Sequence, residues 1–341
     1  MTTGSVSTRR SFADALPLAG ALVLRESLRH LPLDVAIRLG ASIGRSYARL
    51  RGPRVEVAAR NLELAFPEWS EVRRQEVLRE SFANLGRGIA ELCLLQGKSR
   101  DALLDRVRVE GTEHWDAARV ASELGDGVIL LTAHLGNWEL AGIAMAKQGF
   151  PLSVIHREFS NPHIEGLVAG WRGGTGLETV SRGGAGFAVV RALKDGRLVG
   201  MLCDQNAPRR EAVFAPFFGR EASTRYGPVA LAMRRGVPIL PVYCYREGDG
   251  SRHVVRAEPA LELEPAGSDR HAALQRNVGR MNESIEAAIR RAPDHWSWIH
   301  RRWRSRPEHD AEQLYPRRHR RRRRLRRALT GARTARSDHG S

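Results

Sequence analysis

The sequence predicts an α/β fold in which helices flank a largely parallel or mixed central sheet, preceded by an amphipathic helical region. Four short apolar runs, each bounded by Gly, Pro or charged residues, alternate with segments long enough for crossover helices. Before them, apolar residues recur at three- and four-residue steps, which is typical of helices. With 341 residues, of which 42% are hydrophobic, the chain is long enough to bury a sizeable core.

Residues 1–54 are predicted to form a membrane-associating helical segment. The apolar run at 15–24 ends at Arg25 and Glu26, so it falls short of the roughly 20 residues that a membrane-spanning helix needs. Residues 25–51 then alternate Arg with Leu, Ile and Ala at helical spacing, which is typical of a helix lying in a membrane interface. A helix packed on its own domain, or a cleaved signal peptide at the N-terminus, would give a similar pattern.

Residues 55–307 are predicted to form the α/β domain. Helices occupy 55–97, where Pro67 and Ser70 are helix start signals. The four apolar runs after them are the predicted strands, at 127–133, 152–157, 198–204 and 237–245. An added edge strand is predicted at 253–264, and a closing helix at 270–293. In such sheets, ligands and catalytic groups collect at the carboxyl ends of the strands.

Residues 308–341 are predicted to be a disordered, Arg-rich tail. From Arg301 to the C-terminus, 15 Arg stand against four acidic residues, so this segment supplies +11 of the net charge of +17. A run of like charges repels itself and favours a polyanionic partner, such as anionic lipid headgroups, nucleic acid or an acidic protein. The three cysteines lie far apart in sequence, which argues against a disulfide framework and favours a reducing compartment.

His134 and Glu139 are the candidate catalytic pair. His134 follows the first central strand and Glu139 lies in the first turn of the next helix, so both should be near the functional edge of the sheet. A carboxylate bonded to one imidazole nitrogen would fix the tautomer, which leaves the other nitrogen to take a proton from a substrate hydroxyl. The helix start, with Asn137, offers N–H groups for an oxyanion or phosphate, so Asn137 is a candidate substrate contact. The structural alternative is a His that completes a strand end beside a favourably placed Glu.

Other catalytic and cofactor sites are disfavoured. The sequence lacks the H-E-x-x-H zinc motif, and we expect neither a metal nor a cofactor. The segment Gly40–Gly44 matches the G-x-S-x-G nucleophile elbow, but the continuous helical periodicity around Ser42 conflicts with the strand, turn and helix that an elbow requires. Residues 183–190 lack the full dinucleotide-binding pattern and are better explained as a helix start.

Seven sequence blocks carry a resemblance to a known family. One is HLGNWEL at 134–140, which looks like the H-x4-D/E motif of the glycerolipid acyltransferase superfamily. The other six are 61–70, 156–172, 201–207, 213–224, 237–243 and 293–307. In this order, over about residues 15–307, they resemble the lipid A biosynthesis late acyltransferases, which add lauroyl or myristoyl chains. The Arg-rich tail, the short N-terminal apolar segment and the His156 that precedes Arg157 depart from the family pattern.

The resemblance implies a membrane-associated acyltransferase at the cytoplasmic face of the inner membrane. The donor would be a fatty acyl thioester of acyl carrier protein, and the acceptor a hydroxyl of a phosphorylated lipid A precursor; both are acidic, which suits a basic site. His134 would deprotonate the acceptor hydroxyl and Glu139 would orient His134. Arg157 and Arg172 would bind phosphate or carboxylate on the acceptor, since an Arg fork suits that geometry.

Five further residues are candidates for substrate binding. Asp204 and Gln205 end the third predicted strand at the same edge of the sheet, although turn formation or helix capping would also explain them. Phe217 and Phe218 are candidates to line an acyl groove, with ordinary core packing as the alternative. Thr224 is a candidate phosphate contact or helix cap.

The block at 293–307 places Trp296, Trp298 and Trp303 beside Arg301 and Arg302. Rings next to cations are typical of an interfacial membrane belt, in which the amphipathic rings lie at the level of the headgroups. Ordinary packing of a last helix would require the same residue types.

Three other functions remain compatible with parts of the sequence. The same chemistry could act on a phosphatidylinositol mannoside or a lysophospholipid, with acyl coenzyme A as donor. A nucleic-acid-binding protein would use the Arg-rich tail instead, whereas the acyltransferase interpretation expects no nucleic acid partner. A family member that binds lipid without catalysis is the third, and the intact His134 and Glu139 argue against it.

Overall fold

The secondary structure follows the predicted order of an N-terminal helical region and an α/β domain. The computed structural model describes residues 26–28, 30–50, 52–95, 99–122, 125, 127–156, 165–166, 169–170, 172–181, 185–310 and 312–315. The helices are α1 Leu33–Ala48, α2 Pro53–Ala65, α3 Glu71–Leu94, α4 Arg100–Leu104, α5 Thr112–Val120, α6 Trp138–Lys147, α7 Ala185–Lys194, α8 Gly227–Arg235 and α9 Arg270–Arg291. The strands are β1 Val107–Glu110, β2 Val128–Thr132, β3 Leu152–His156, β4 Glu178–Ser181, β5 Leu198–Leu202, β6 Ala212–Phe217, β7 Arg220–Arg225, β8 Ile239–Glu247 and β9 Arg252–Ala257.

Seven of these strands form the central sheet, in the order β1-β9-β8-β2-β5-β3-β4. The five strands from β8 to β4 run parallel to one another. β9 is antiparallel to β8, and β1 pairs in parallel with β9, so the sheet is mixed. β6 and β7 form a separate antiparallel pair. The predicted α/β fold with helices around a mixed central sheet is therefore confirmed.

The predicted edge strand at 253–264 is wrong in position and length. It ends at Ala257, and it lies inside the sheet, between β8 and β1. β1 is only four residues long and carries two charged side chains, so it lacks the apolar run that would have marked it as a strand. The helix predicted at 183–190 is confirmed as α7.

Both faces of the central sheet are buried, because successive side chains of its strands point to opposite faces. Ile129 and Leu131 of β2 pack in one apolar cluster with α2, α7, α8 and α9. Val128 and Leu130 pack in a second cluster with α3, α5 and α6. Near-continuous apolar strands are what a sheet covered on both faces requires.

The glycines of the G-x-S-x-G segment belong to a close crossing of α1 and α3. A Cβ at Gly40 would lie 2.5 Å from the Gly86 carbonyl oxygen, and one at Gly44 would lie 2.0 Å from that of Phe82. These contacts require glycine because any side chain would push the two backbones apart. Ser42 lies within α1 and donates to the carbonyl oxygen of Arg38 (3.0 Å), so the prediction of a helix here is confirmed.

Within the described residues, no helix is both long and apolar enough to cross a membrane. The apolar run at 15–24, Arg157 and most of the Arg-rich tail lie outside the described residues. The membrane association of residues 1–54 therefore stays a prediction.

Candidate active site

His134 follows the carboxyl end of β2, the middle strand of the seven-stranded sheet. β2 ends at Thr132, directly opposite the last residue of β5, Leu202, whereas β8 on its other side continues to Glu247. The strand is buried along its length, whereas the His134 side chain is 22% exposed. The sheet thus holds one titratable ring at the point where its buried interior meets an open edge.

Asp204, two residues after β5, holds the His134 ring. Asp204 Oδ1 lies 2.8 Å from His134 Nδ1, while Asp204 Oδ2 accepts from the His134 backbone N–H (3.0 Å) and from Trp296 Nε1 (2.7 Å). Burial opposes ionisation of this carboxyl, but the His134 charge and these hydrogen bonds prevail and lower its pKa to about 2. An ionised carboxylate can only accept a hydrogen bond, so Asp204 favours the His134 tautomer that carries its proton on Nδ1. Neutral His134 therefore has its lone pair on Nε2.

The charge state of His134 depends on two carboxylates. Burial disfavours the charged ring, but the charge and hydrogen bond of Asp204, with a smaller contribution from the Glu139 charge, raise the pKa of His134 above its usual value. A raised pKa makes the ring a stronger base. It also lets the ring retain a proton that it has taken from a substrate.

Gln205 and Trp138 complete the surroundings of the ring. Gln205 Nε2 lies 3.2 Å from His134 Nε2, so the amide N–H can donate to the lone pair that Asp204 leaves there. Trp138 packs edge-to-face against His134, with ring centroids 4.8 Å apart. The structure therefore brings Asp204 and Gln205, both predicted from the sequence, into direct contact with the candidate base.

Glu139 binds Arg172, and the expectation that it holds the His134 ring is wrong. Arg172 Nη2 donates to both carboxylate oxygens of Glu139 (2.8 and 2.9 Å), and Arg172 Nε adds a third bond (3.2 Å). Glu139 lies in the first turn of α6 and lines the same cavity as Arg172, while β5, the strand next to β2, supplies Asp204 to the ring. Arg172 therefore lines the cavity as part of an ion pair with Glu139. Its contact with an acceptor phosphate stays a prediction.

An apolar cavity of about 270 Å³ opens beside His134, between α6 and one face of the sheet. His134, Glu139 and Arg172 lie among its lining residues, and the rest of the lining is mainly apolar. The apolar lining comes from α6 and from five strands of the sheet, and includes Ala141, Met145, Leu130, Val154, Leu202, Val242 and Val255. Gly142 and Gly200 also line it and leave space that a side chain would fill. The cavity has the chemistry of a site for an alkyl chain that ends at the His134 ring.

The loop after His134 is fixed by the segment near residue 296. Gly136 N donates to the His295 carbonyl oxygen (2.9 Å), and Ser297 N donates to that of His134 (2.9 Å). Gly136 has φ +63°, and a Cβ there would lie 2.3 Å from the Cys244 carbonyl oxygen. Glycine is therefore required for the turn that joins the His134 strand to α6.

A family model for bacterial lipid A biosynthesis acyltransferases matches residues 9–305. The chain belongs to this family. Its activity is therefore acyl transfer in lipid A biosynthesis, as the sequence predicts. The match covers the N-terminal helices, the whole central sheet and the segment around Trp296.

Curated relatives of the acyltransferase agree with this assignment. It is 30% identical over 278 residues to the lipid A biosynthesis palmitoleoyltransferase of Escherichia coli K12, covering 81% of this chain and 87% of that one. It is 29% identical to the lauroyltransferase of the same organism, over 82% and 88% of the two chains. A phosphatidylinositol mannoside acyltransferase of Mycobacterium tuberculosis is 27% identical over 66% of this chain and 68% of its own.

Three predicted substrate contacts of the acyltransferase lie away from the cavity. Phe217 and Phe218 are 0% and 6% exposed and pack against each other and against core aromatic rings, so the core alternative holds for both. Thr224 lies inside β7, fully buried, where Arg302 Nη2 donates to its Oγ1 (2.6 Å). These side chains stabilise the β6–β7 unit against α9, because Val213, Ala215, Phe217 and Phe218 of VFAPFF point into the core.

Asn137 is also buried, with both ends of its amide occupied. Its Oδ1 accepts from Leu140 N (3.1 Å) and caps α6, while its Nδ2 donates to Glu91 Oε2 (2.7 Å). The prediction of a substrate contact at Asn137 is therefore wrong. The sequence shows it as a cap residue, but its second partner comes from α3, 46 residues earlier.

The interfacial belt predicted around Trp296 is wrong, because this block is part of the core. Trp296, Trp298, Trp303 and Arg302 are each 2% exposed or less. Trp296 serves the site directly through its bond to Asp204. Among the described residues, no group of three His, Cys, Asp or Glu side chains is placed to hold a metal ion.

Proposed function

We propose that the acyltransferase moves a fatty acyl chain from an acyl carrier protein thioester to a hydroxyl of a lipid A precursor, with His134 as general base. The observation that carries this proposal is the position of His134, oriented by Asp204 and placed at the mouth of an apolar cavity. The relatives named lauroyltransferase and palmitoleoyltransferase support a fatty acyl chain as the transferred group.

The reaction needs no enzyme nucleophile. His134 Nε2 takes the proton of the acceptor hydroxyl as the hydroxyl oxygen attacks the thioester carbonyl carbon. The carbon–sulfur bond then breaks, and His134 returns the proton to the departing thiolate. Asp204 stays ionised throughout and stabilises the imidazolium that forms between the two steps. Gln205, whose amide lies against Nε2, has to release the ring when the acceptor hydroxyl arrives.

The acyl chain of the donor would occupy the cavity beneath α6. The lining is mainly apolar, and its charged side chains are those of the Glu139–Arg172 pair, near His134. A chain bound there would place its thioester beside His134 and its alkyl part along the apolar lining, which includes Gly142 and Gly200. Burial of each methylene would contribute about 0.8 kcal/mol to donor binding.

We also propose that the acyltransferase works on the cytoplasmic face of the inner membrane, with α1 resting on anionic lipid. Val35, Leu39, Ile43 and Tyr47 of α1, with Leu50 two residues after the helix, form a stripe, here called the α1 stripe, and all are exposed by between 39% and 72%. Their spacing of four and three residues places them on one side of the helix. Exposed Arg38 and Arg49 flank this α1 stripe, which is the pattern of a helix that lies in a membrane interface.

The decisive experiment compares wild type, His134→Ala and Asp204→Asn. Each is incubated in detergent micelles with a tetra-acylated lipid A precursor and C12 to C16 acyl carrier protein, and products are weighed by mass spectrometry. We expect one added acyl mass with wild type, a rate lower by roughly 10²- to 10⁴-fold for His134→Ala, and a smaller loss for Asp204→Asn, in which the tautomer is no longer fixed. His271→Ala, at an exposed histidine of α9, is the matched control and should retain full activity.

Three results would contradict the proposal. Equal product from His134→Ala at equal protein level would mean that another group is the base. Product only with acyl coenzyme A would replace the donor, and product only with a phosphatidylinositol mannoside would replace the acceptor.

A further inference from the structure

A buried ionic cluster lies behind the catalytic edge, and the proposed reaction does not use it directly. Glu91 of α3 is 0% exposed and receives Arg246 of β8 on both carboxylate oxygens (2.6 and 2.7 Å). His253 Nε2 of β9 lies 3.0 Å from the same carboxylate. Taking a carboxylate and a guanidinium out of water is costly, and apolar side chains of similar volume are often as stable in such a place. A role beyond stability would explain the cluster.

The third partner of Glu91, Asn137, connects the cluster to the active site. Asn137 Nδ2 donates to Glu91 Oε2 (2.7 Å), and Asn137 lies three residues after His134 and two before Glu139. This bond fixes which end of the Asn137 amide faces α6, so that Oδ1 is left to cap the helix at Leu140 N. One hydrogen bond thus joins a rigid, charged cluster to the first turn of the helix that carries Glu139.

The cluster also reaches the loop from its other side. Arg246 N donates to His295 Nδ1 (3.4 Å), and the His295 carbonyl oxygen accepts from Gly136 N (2.9 Å). The loop 134–137 is therefore held at Gly136 and at Asn137 by groups that all connect to β8 or α3. A change in one of the groups that hold Gly136 or Asn137 would therefore shift His134, although none of these groups contacts substrate.

We propose that Glu91 is a positioning residue for this active site, acting through Asn137 on the loop 134–137 and the start of α6. The inference rests on the proposed function of His134 as general base. The ion pair with Arg246 fixes the carboxylate, and the fixed carboxylate sets the place of Asn137. A catalytic group displaced by about 1 Å costs up to roughly 100-fold in rate, so a loss of this tether is expected to lower kcat.

The test uses Asn137→Ser, because Ser caps helices about as well as Asn but is too short to reach Glu91 as well. We expect kcat for acyl transfer to fall by roughly 10- to 100-fold while KM for donor and acceptor stays within about twofold. Asn277→Ser is the matched control. Asn277 is equally buried and bonded at both ends of its amide, to the backbone of Glu264, but it lies on α9 away from the site. This control should lose thermal stability and keep kcat.

Glu91→Gln and the double variant give an independent check. Glu91→Gln removes the charge and keeps the volume, and its kcat loss should not add to that of Asn137→Ser, because both break one tether. If Glu91→Gln fails to fold, Asn137→Ser with its control still decides the question. A kcat for Asn137→Ser within twofold of wild type, or no lower than that of Asn277→Ser, would overturn the positioning role while wild-type transfer upholds the proposed function. An absence of transfer by wild type would overturn both.

Discussion

At the scale of single residues, Gly142 determines how much room the cavity offers beneath α6. A Cβ at Gly142 would lie 3.7 Å from Leu152 Cδ2, which is an ordinary contact, so a side chain can be added there without disturbing the backbone. Gly200 is less tolerant, because a Cβ on it would lie 3.3 Å from Val154 Cγ1. A larger residue at 142 would therefore project into the cavity and shorten it.

We expect Gly142→Leu to shift donor preference toward shorter chains. Each methylene that no longer fits forfeits about 0.8 kcal/mol, so the relative kcat/KM for C16 should fall about fourfold per excluded methylene, while C10 or C12 donors are less affected. The measurement is a competition among C10 to C16 acyl carrier proteins with product masses as readout. Gly186→Leu, on the exposed face of α7 where no atom lies within 4 Å of the added Cβ, is the control. An unchanged product distribution in a folded Gly142→Leu variant would place the acyl chain elsewhere.

At this scale the sequence predicted the candidate base, His134, but not the residue that orients its ring. His134 was predictable because it follows an apolar strand, and Glu139 because it lies in the first turn of the next helix and completes the H-x4-D/E motif. Asp204 is 70 residues away, and its contact with His134 depends on β2 lying next to β5, a strand order that no local pattern gives. Glu91 was not predictable at all, since a Glu within a long helix is ordinarily a solvated surface residue.

At the scale of elements, α1 has one buried face and one exposed apolar face. One face packs on α3 through Gly40 and Gly44, and the other presents the α1 stripe of apolar side chains. Helical periodicity predicted the element and its amphipathic character, but only the α3 crossing shows which side is buried. Buried Ala36 and exposed Leu39 are both apolar and only three residues apart, so composition alone could not separate the two faces.

We expect the double change Leu39→Ser and Ile43→Ser to weaken binding to phosphatidylglycerol vesicles by roughly tenfold or more, because two partly inserted side chains lose their apolar burial. Co-sedimentation with the vesicles measures it. Val72→Ser with Val120→Ser removes two exposed apolar side chains away from the α1 stripe and should bind as wild type does. Transfer in micelles should persist in both variants. Wild-type vesicle binding by the α1 stripe variant would mean that another segment provides the attachment.

Short polar strands were the elements that the sequence did not reveal. β1 reads VRVE and β4 reads ETVS, so neither has the apolar run that marks the central strands, and both lie at the outer edges of the sheet. They form strands because they pair with β9 and β3, respectively, and these partners are distant in sequence or not recognisable from a local pattern. The β6–β7 pair was missed for a different reason, since its aromatic residues suggested a loop lining a groove.

At the scale of the whole molecule, the described chain is anchored as far as Tyr315. Tyr315 Oη donates to Asn61 Oδ1 (2.5 Å), and Arg60 Nε donates to the Leu314 carbonyl oxygen (3.1 Å), so the end of this segment packs on α2. Leu314 and Tyr315 are 4% and 7% exposed. The Arg-rich sequence begins directly after this anchor, at Arg317.

The Arg-rich tail should therefore be dispensable for folding and for catalysis, but not for binding to polyanions. Deletion of 317–341 leaves the anchor intact, so we expect thermal stability and transfer in micelles to match the full chain within about twofold, whereas salt-sensitive binding to a DNA duplex or to anionic vesicles should weaken. Deletion of 314–341, which also removes the anchor, is the control and should lower the melting temperature. Loss of micellar transfer in a stable 317–341 deletion would assign the tail to the reaction. Tight, sequence-dependent DNA binding by the full chain would instead support the nucleic-acid interpretation, because sequence dependence requires contacts to the bases, which binding to lipid headgroups does not involve.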